Sequence, residues 1–299
     1  MSIDQSSLSY YVYRFWGAVA PLIPPRLGHA MFSRIANLAY PGLTTSRENV
    51  CDNLRHVLGP RADPARIEAV ARQVFQNQAR NYYDLFRVAS LSADQIRQLV
   101  TVNGLERLDQ ALSAGKGVIV VSAHLGNAEV IMQRFALEGH PITGVAEHLK
   151  PEKLYQYVTS LRASKGMTVI PTDGFLRPLF RVLHNNEILL LAADRPEAET
   201  GTLIDFFGAP ALLPDWHVRL ALRTSAKLLM AFSLRMPDNT FQAVAEPPLE
   251  LERTGDRERD IRAGMAQVVA ILEKYIGAHP EQWVMFQPIW RLPEHMRDS

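Results

Sequence analysis

The sequence predicts an α/β fold, a central mixed, mainly parallel sheet flanked by helices, with an N-terminal helical region ahead of it. Three observations predict this. From Val118 onward short apolar runs alternate with stretches of helical period, the residues before it carry helical patterns, and 47% apolar content over 299 residues is ample for a buried core. No break in composition marks a domain boundary, so residues 1–43 are expected as an interfacial or packed helical segment and 44–299 as one α/β domain including scaffold helices.

The segment from Leu8 to Tyr40 mixes Tyr10, Tyr11, Tyr13, Phe15, Trp16, Leu22, Ile23, Leu27, Met31, Phe32 and Ile35 with Arg14, Arg26 and Arg34. Aromatic bodies and long basic side chains suit a segment lying at a lipid surface, and they also suit two helices packed on the domain. Arg14, Pro21, Pro24, Pro25 and Arg26 interrupt this stretch, and crossing a bilayer takes roughly 20 consecutive apolar residues. The opening residues lack the ordered parts of a secretory signal, so the expected location is the cytoplasmic face of the cell membrane, with peripheral attachment.

Helical patterns over Ser46–Leu58 and Pro64–Val88, split by Gly59-Pro60-Arg61, read as scaffold. Strands are expected at Val118–Ala123, Thr168–Pro171, Glu187–Ala193 and Lys227–Leu234, and the charged stretch Glu250–Arg262 reads as a solvated loop entering a helix. Trp283, Phe286 and Trp290 are spaced to form one buried helical stripe. Phe206, Phe207 and Gly208 suit core packing, or the wall of an apolar groove.

Several classes of function are excluded. A formal net charge of +1 offers no general attraction to nucleic acid, and the lone Cys51 cannot form an internal disulfide. His140, His148, His184, His217 and His279 lack zinc spacing, so no metal is expected. Gly115-Lys116-Gly117 precedes a strand instead of following one, and no G-x-S-x-G elbow occurs, which argues against a phosphate loop and against a serine nucleophile.

The informative stretch is Ser122-Ala123-His124-Leu125-Gly126-Asn127-Ala128-Glu129, which follows the first apolar strand. Gly126 permits a tight turn, Asn127 suits a helix cap, and the helix should end near Gly139. His124 is thereby placed at a strand's carboxyl end, the edge where open α/β sheets bind ligands. Five steps on one helix would leave His124 and Glu129 about 140° apart at about 100° per residue. With His124 before the cap and Glu129 in the first turn, the carboxylate is expected to receive a ring N–H and fix the tautomer. The free ring nitrogen then takes a proton from an alcohol attacking a thioester carbonyl, with no enzyme nucleophile. Backbone N–H groups from Gly126 to Ala128, or a nearby arginine, are candidates to stabilise the tetrahedral intermediate.

This string resembles the H-x-x-x-x-D/E signature of glycerolipid and lipid A-type acyltransferases, here with Glu129 in the second position. Further blocks extend the likeness: Asn81-Tyr82-Tyr83-Asp84, Leu161-Arg162 with Lys165-Gly166, Ala193-Asp194-Arg195, Asp205-Phe206-Phe207-Gly208 and His279-Pro280-Glu281-Gln282-Trp283. They are similar to the lipid A biosynthesis acyltransferase family, which includes phosphatidylinositol mannoside acyltransferases. The resemblance implies an acyl-CoA or acyl-carrier-protein donor, no cofactor, a glycolipid or phospholipid acceptor and a membrane surface as partner. It also associates Arg162 with the active centre, where its donor fork suits a phosphate or an acyl carbonyl.

Asp194 and Arg195 follow a strand and should face the same edge, Arg195 against a phosphate and Asp194 orienting it, or the two forming an internal ion pair. Gly126, Asn127, Arg162, Asp194 and Arg195 are therefore the expected substrate-binding residues, and His124 with Glu129 the catalytic pair. Glu197 and Glu199 lie where sugar hydroxyls could be met, with no motif to choose between them. The rival readings are an acyl thioesterase, with water replacing the alcohol, and a lipid-binding protein of the same fold without turnover.

Overall fold

The computed structural model describes residues 5–172, 177–196 and 200–292, with residues 5–7 described by backbone alone. The chain opens with helices α1 (Gln5–Val19) and α2 (Pro25–Ala39), each followed by a short 3-10 turn. Pro25 occupies the first turn of α2, where a missing N–H costs no intrahelical bond. Helix α3 (Thr44–Leu58) stops at Gly59, and α4 (Pro64–Val88) starts from Asp63, whose side chain accepts from the Ala65 N–H. Both α2 and α3 pack on α4. Gly28 permits the α2 approach, since a Cβ there would stand 2.2 Å from the Tyr83 ring.

The α/β part follows as α5 (Ala93–Leu99), β1 (Val100–Asn103), α6 (Leu105–Ser113), β2 (Val118–Ser122), α7 (Ala128–Leu137), β3 (Ile142–Ala146), α8 (Glu152–Arg162) and β4 (Thr168–Pro171). Then come α9 (Arg177–His184), β5 (Ile188–Ala192), β6 (Thr202–Phe206), β7 (Ala209–Leu213), α10 (Trp216–Thr224), β8 (Lys227–Arg235), β9 (Phe241–Ala245) and α11 (Arg257–Ala278). Seven strands form one sheet in the order β1-β9-β8-β2-β5-β3-β4, parallel throughout except for the β8–β9 pair. β6 and β7 form a separate antiparallel hairpin turned by Phe207 and Gly208, at φ 51° and 75°. The chain therefore forms the mixed, mainly parallel sheet with flanking helices and a helical N-terminal region that its sequence predicts.

Strand β2 is buried along its whole length, and its alternation divides the core. Ile119 and Val121 join Leu189, Leu191, Met230, Val268 and Leu272 on one face, while Val118 and Val120 join Leu108, Ile142 and Leu229 on the other. The four expected strands appear within about two residues of their predicted ends. β1, β3, β6, β7 and β9 were not anticipated, because runs of four or five residues show little period and are fixed by pairing with distant neighbours. The expected C-terminal helical stripe is corrected: beyond α11 only the 3-10 turn Pro280–Gln282 forms among the described residues. Trp283 and Trp290 instead pack with the main core, and Phe286 with the α3–α4 cluster.

Helices α1 and α2 turn Tyr13, Trp16 and Phe32 inward against Tyr83, Phe86 and Val158. Their other side leaves apolar groups in the open, with Leu22 82%, Leu27 63%, Leu38 83% and Tyr11 62% exposed, among exposed Arg14, Arg26 and Arg34. Among the described residues no helix is long and apolar enough to cross a membrane.

Candidate active site

The site is set by strand register. In the parallel β2–β5 pair Ser122 stands opposite Ala192, and Ala193 N–H continues the ladder to the Ser122 carbonyl at 2.9 Å. Two residues beyond each member of that pair lie His124 and Asp194, which this register sets side by side. Asp194 is fully buried. It accepts from the His124 backbone N–H at 2.8 Å and from the Trp283 indole Nε1 at 2.7 Å, and meets His124 Nδ1 at 2.8 Å. Burial alone would raise the Asp194 carboxyl, but the charge of His124 and the hydrogen bonds from His124 and Trp283 outweigh it and hold the group below the ordinary carboxylate range. A carboxylate accepts only, so Nδ1 carries the proton and Nε2 is left as the basic nitrogen. The His124 side chain is 35% exposed and lines a cleft of about 350 Å³.

Glu129 does lie in the first turn of α7, after the expected Asn127 cap, whose side chain accepts from the Glu129 N–H at 3.2 Å. Its carboxylate, however, accepts from Arg162 Nε at 2.9 Å on both oxygens, and Arg162 Nη2 donates to it as well. The contact expected of Glu129 is thus corrected: the ring N–H of His124 meets Asp194, and the Glu129 carboxylate accepts from Arg162. The physical reason is the direction of α7, which runs beside the end of α8, where Gln133 also donates to the Arg162 carbonyl. Burial would lower the Arg162 guanidinium, and the Glu129 charge and hydrogen bonds beside it more than offset that, holding the group above its ordinary range.

Gly126 turns the chain at φ 63°, and a Cβ there would come within 2.0 Å of the Ser233 carbonyl oxygen. Its N–H donates to the Gln282 carbonyl at 3.0 Å, and the Asn127 N–H to Ser233 Oγ at 3.0 Å. Those two donors, expected to meet negative charge on an intermediate, are therefore already committed to holding the turn.

The turn is gripped from α4. Asn81 Nδ2 donates to the Gly126 carbonyl at 2.6 Å, and Asn127 Nδ2 donates to Asp84 Oδ2 at 3.3 Å. Arg235 Nη2 bridges Asn81 Oδ1 at 2.7 Å and Asp84 Oδ2 at 2.6 Å, while His29 Nε2 of α2 meets Asp84 Oδ1 at 2.8 Å. Burial would raise the Asp84 carboxyl, and Arg235 and His29 overcome it to leave the group below the usual range.

Arg162, Gly126, Asn127, Glu129 and Arg195 line the His124 cleft, together with Tyr13. Arg195 pairs with Glu147 at 3.0 Å, not with Asp194, which the imidazole occupies. Glu197 and Glu199 lie outside the described residues. Phe206 is fully buried in the main core and stacks on Trp290. A second pocket of about 60 Å³, lined almost wholly by apolar side chains including Leu105, Leu108, Phe135 and Leu229, shares Ser122, Ala128, Met132 and Leu190 with the cleft. Among the described residues no three His, Cys, Asp or Glu side chains gather as metal ligands.

The family model described as bacterial lipid A biosynthesis acyltransferase matches residues 2–292. The chain belongs to that family. Similar proteins include one named phosphatidylinositol mannoside acyltransferase from Mycobacterium tuberculosis strain H37Rv, 33% identical over 251 residues, covering 81% of this chain and 77% of that one. A protein of the same name from Mycolicibacterium smegmatis is 29% identical over 273 residues, covering 90% and 86%. As a lipid A-type acyltransferase the chain is an O-acyltransferase acting on lipid substrates. Within this acyltransferase, sequence reasoning missed the roles of Asp194 as imidazole partner and of Trp283 as donor to it. The available signal was that His124 and Asp194 both follow the ends of predicted strands, which are neighbours only once β2 and β5 pair.

Proposed function

We propose that this acyltransferase moves a fatty acyl group from acyl-CoA or acyl-carrier protein to a hydroxyl of a glycolipid of the phosphatidylinositol mannoside class, at the cytoplasmic membrane surface. The observation that carries the chemistry is the buried Asp194 carboxylate bound to His124 Nδ1 at 2.8 Å, with the imidazole opening onto the cleft. Asp194 fixes the tautomer and favours the imidazolium that forms during reaction. His124 Nε2 removes the hydroxyl proton as the alcohol oxygen attacks the thioester carbonyl carbon. The tetrahedral intermediate collapses by breaking the C–S bond, and the departing sulfur takes its proton back from the imidazolium. The ester stays on the lipid and the thiol leaves with the donor.

Glu129 and Arg162 line the same cleft as an ion pair, and in this reading they present a fixed positive edge beside the reacting carbonyl or a head-group phosphate. Arg195 with Glu147 stands at the more open rim, where a phosphate of donor or acceptor can compete for the guanidinium. The apolar pocket next to Met132 supports a fatty chain lying along the sheet. The acceptor class rests on what the mycobacterial relatives are named for.

The test uses radiolabelled palmitoyl-CoA with a phosphatidylinositol mannoside, wild type beside His124→Ala, and resolution of the lipid products. An acylated glycolipid whose formation falls at least about 100-fold in the folded variant is the expected outcome. Free fatty acid as the sole product would replace transfer with thioester hydrolysis.

A further inference from the structure

The block Asn81-Tyr82-Tyr83-Asp84 lies in α4, and the three-residue step from Asn81 to Asp84 puts both on one helix face. Ser233 and Arg235, two residues apart on β8, stand on the same side of that strand. Ser233 Oγ accepts from the Asn127 N–H, and Arg235 Nη2 donates to Asn81 and Asp84. The Arg235 side chain is 4% exposed and does not line the His124 cleft, so any part it has in the reaction passes through its neighbours.

A guanidinium only donates, so Arg235 draws the Asn81 amide oxygen to itself at 2.7 Å and leaves Nδ2 directed at the Gly126 carbonyl. The Asp84 carboxylate only accepts, so it draws Asn127 Nδ2 and leaves Oδ1 of that residue to cap α7 at the Glu129 N–H. One buried ion pair thus fixes which way two amides face, and the amides hold consecutive residues of the turn after His124. The Arg235 main chain reaches the same place by another route. It exchanges two hydrogen bonds with the Gln282 side chain, at 2.7 and 3.0 Å. Next along the chain, Trp283 donates to Asp194 and the Val284 N–H donates to the His124 carbonyl at 2.8 Å. As a source of stability alone the arrangement is poor. Among the described residues Arg235 Nε has no acceptor, and burial with the Arg235 charge pushes the Arg80 guanidinium below its ordinary range. Apolar replacements of buried ion pairs are often as stable or more so, which leaves geometry as what this pair supplies.

We propose that Arg235 is a positioning residue of the transfer reaction: through Asn81 and Asp84 it sets the Gly126–Asn127 turn, and so the placement of His124 against the bound thioester and alcohol. The proposal rests on the transferase reading for the role of His124. Without the guanidinium both amides are free to turn over, and two grips on the turn are lost together. The rate of the chemical step falls, while binding of the acyl donor does not.

The test is the single-turnover rate of acyl transfer from palmitoyl-CoA to phosphatidylinositol mannoside in full-length protein, beside palmitoyl-CoA affinity and urea denaturation. Arg235→Met combined with Asp84→Asn removes both charges at once, so its urea midpoint should stay near that of wild type. The rate should nevertheless fall at least about tenfold with palmitoyl-CoA affinity unchanged. Asn81→Asp keeps the contact with Arg235 and sets an oxygen against the Gly126 carbonyl in place of a donor, and the same split between rate and affinity is expected. Should the double variant fail to fold, Asn81→Asp decides alone. A wild-type rate in a folded variant would reduce the Arg235–Asp84 pair to a structural contact and overturn the proposal. A loss of palmitoyl-CoA affinity in step with the rate would overturn it too, by showing that the clamp shapes the donor site. Failure of the transferase reading is separate and visible without these variants, as absence of transfer by wild type or its survival in His124→Ala.

Discussion

His124 owes its proposed reactivity to what stands behind it. Asp194, buried and ionised, leaves the imidazole one accessible basic nitrogen, and Trp283 keeps the carboxylate from rotating away. Glu129, although five residues from His124 in the motif, is hydrogen-bonded to Arg162 instead. Both members of that pair are mostly buried, with side chains 20% and 19% exposed, so removing one charge strands the other. Glu129→Gln is therefore expected to lower unfolding stability by about 3 kcal/mol, the cost of breaking a buried pair from one side. Urea denaturation of the variant against wild type measures it, and an unchanged midpoint and slope would show that Arg162 finds another partner. At this scale the sequence disclosed His124 and its cap Asn127, because strand, turn and cap are neighbours in the chain. It hid Asp194 as the partner of the imidazole, because a separation of 70 residues is closed only by sheet pairing.

The element that converts these residues into a site is the turn from β2 to α7. Its geometry is overdetermined: Gln282, Ser233, Asn81 and Asp84 all bind it, and Gly126 has no room for a side chain. Gly126→Ala must push the turn away from the Ser233 backbone, displacing the residues that follow His124. The expected result is a folded protein with turnover lowered at least about tenfold, since small misplacements of reacting groups are costly. Circular dichroism with steady-state kinetics checks it, and a wild-type rate would show the turn to be more yielding than the contacts imply. Helices α3, α4 and α7 were legible from period and caps. The short strands β1, β3 and β9 were not, because each is defined by the neighbour it pairs with. The tail after α11 was misread for a related reason: Trp283, Phe286 and Trp290 have helical spacing, yet an extended path delivers them to two separate cores.

For the whole molecule, a continuous polar chain links the N-terminal helices to the turn between β2 and α7, from His29 in α2 through Asp84 to Asn127. The same helices carry exposed apolar and basic groups, so one face of the segment is packed on the domain and the other leaves those groups in the open. In the proposed function that outer face meets lipid. Leu22→Ser with Leu38→Ser removes two of its most exposed apolar side chains without touching the packed face. Flotation with anionic liposomes should then show binding weakened by about tenfold or more, given about 1.5–3 kcal/mol for burying each leucine. Equal flotation of variant and wild type would place attachment elsewhere. The fold class was legible at this scale from the alternation of strand and helix patterns, whereas the two-faced character of α1 and α2 emerges only from how they pack on α4 and α8.

The measurement that tests the central claim most directly is the single-turnover rate of acyl transfer from palmitoyl-CoA by Asp194→Asn beside wild type. The amide keeps the shape of the side chain while removing the charge that sets the His124 tautomer. A rate reduced at least about 100-fold, with donor binding retained, is the predicted result. A wild-type rate in the folded variant would contradict the Asp194–His124 pair and return the orienting role to another group.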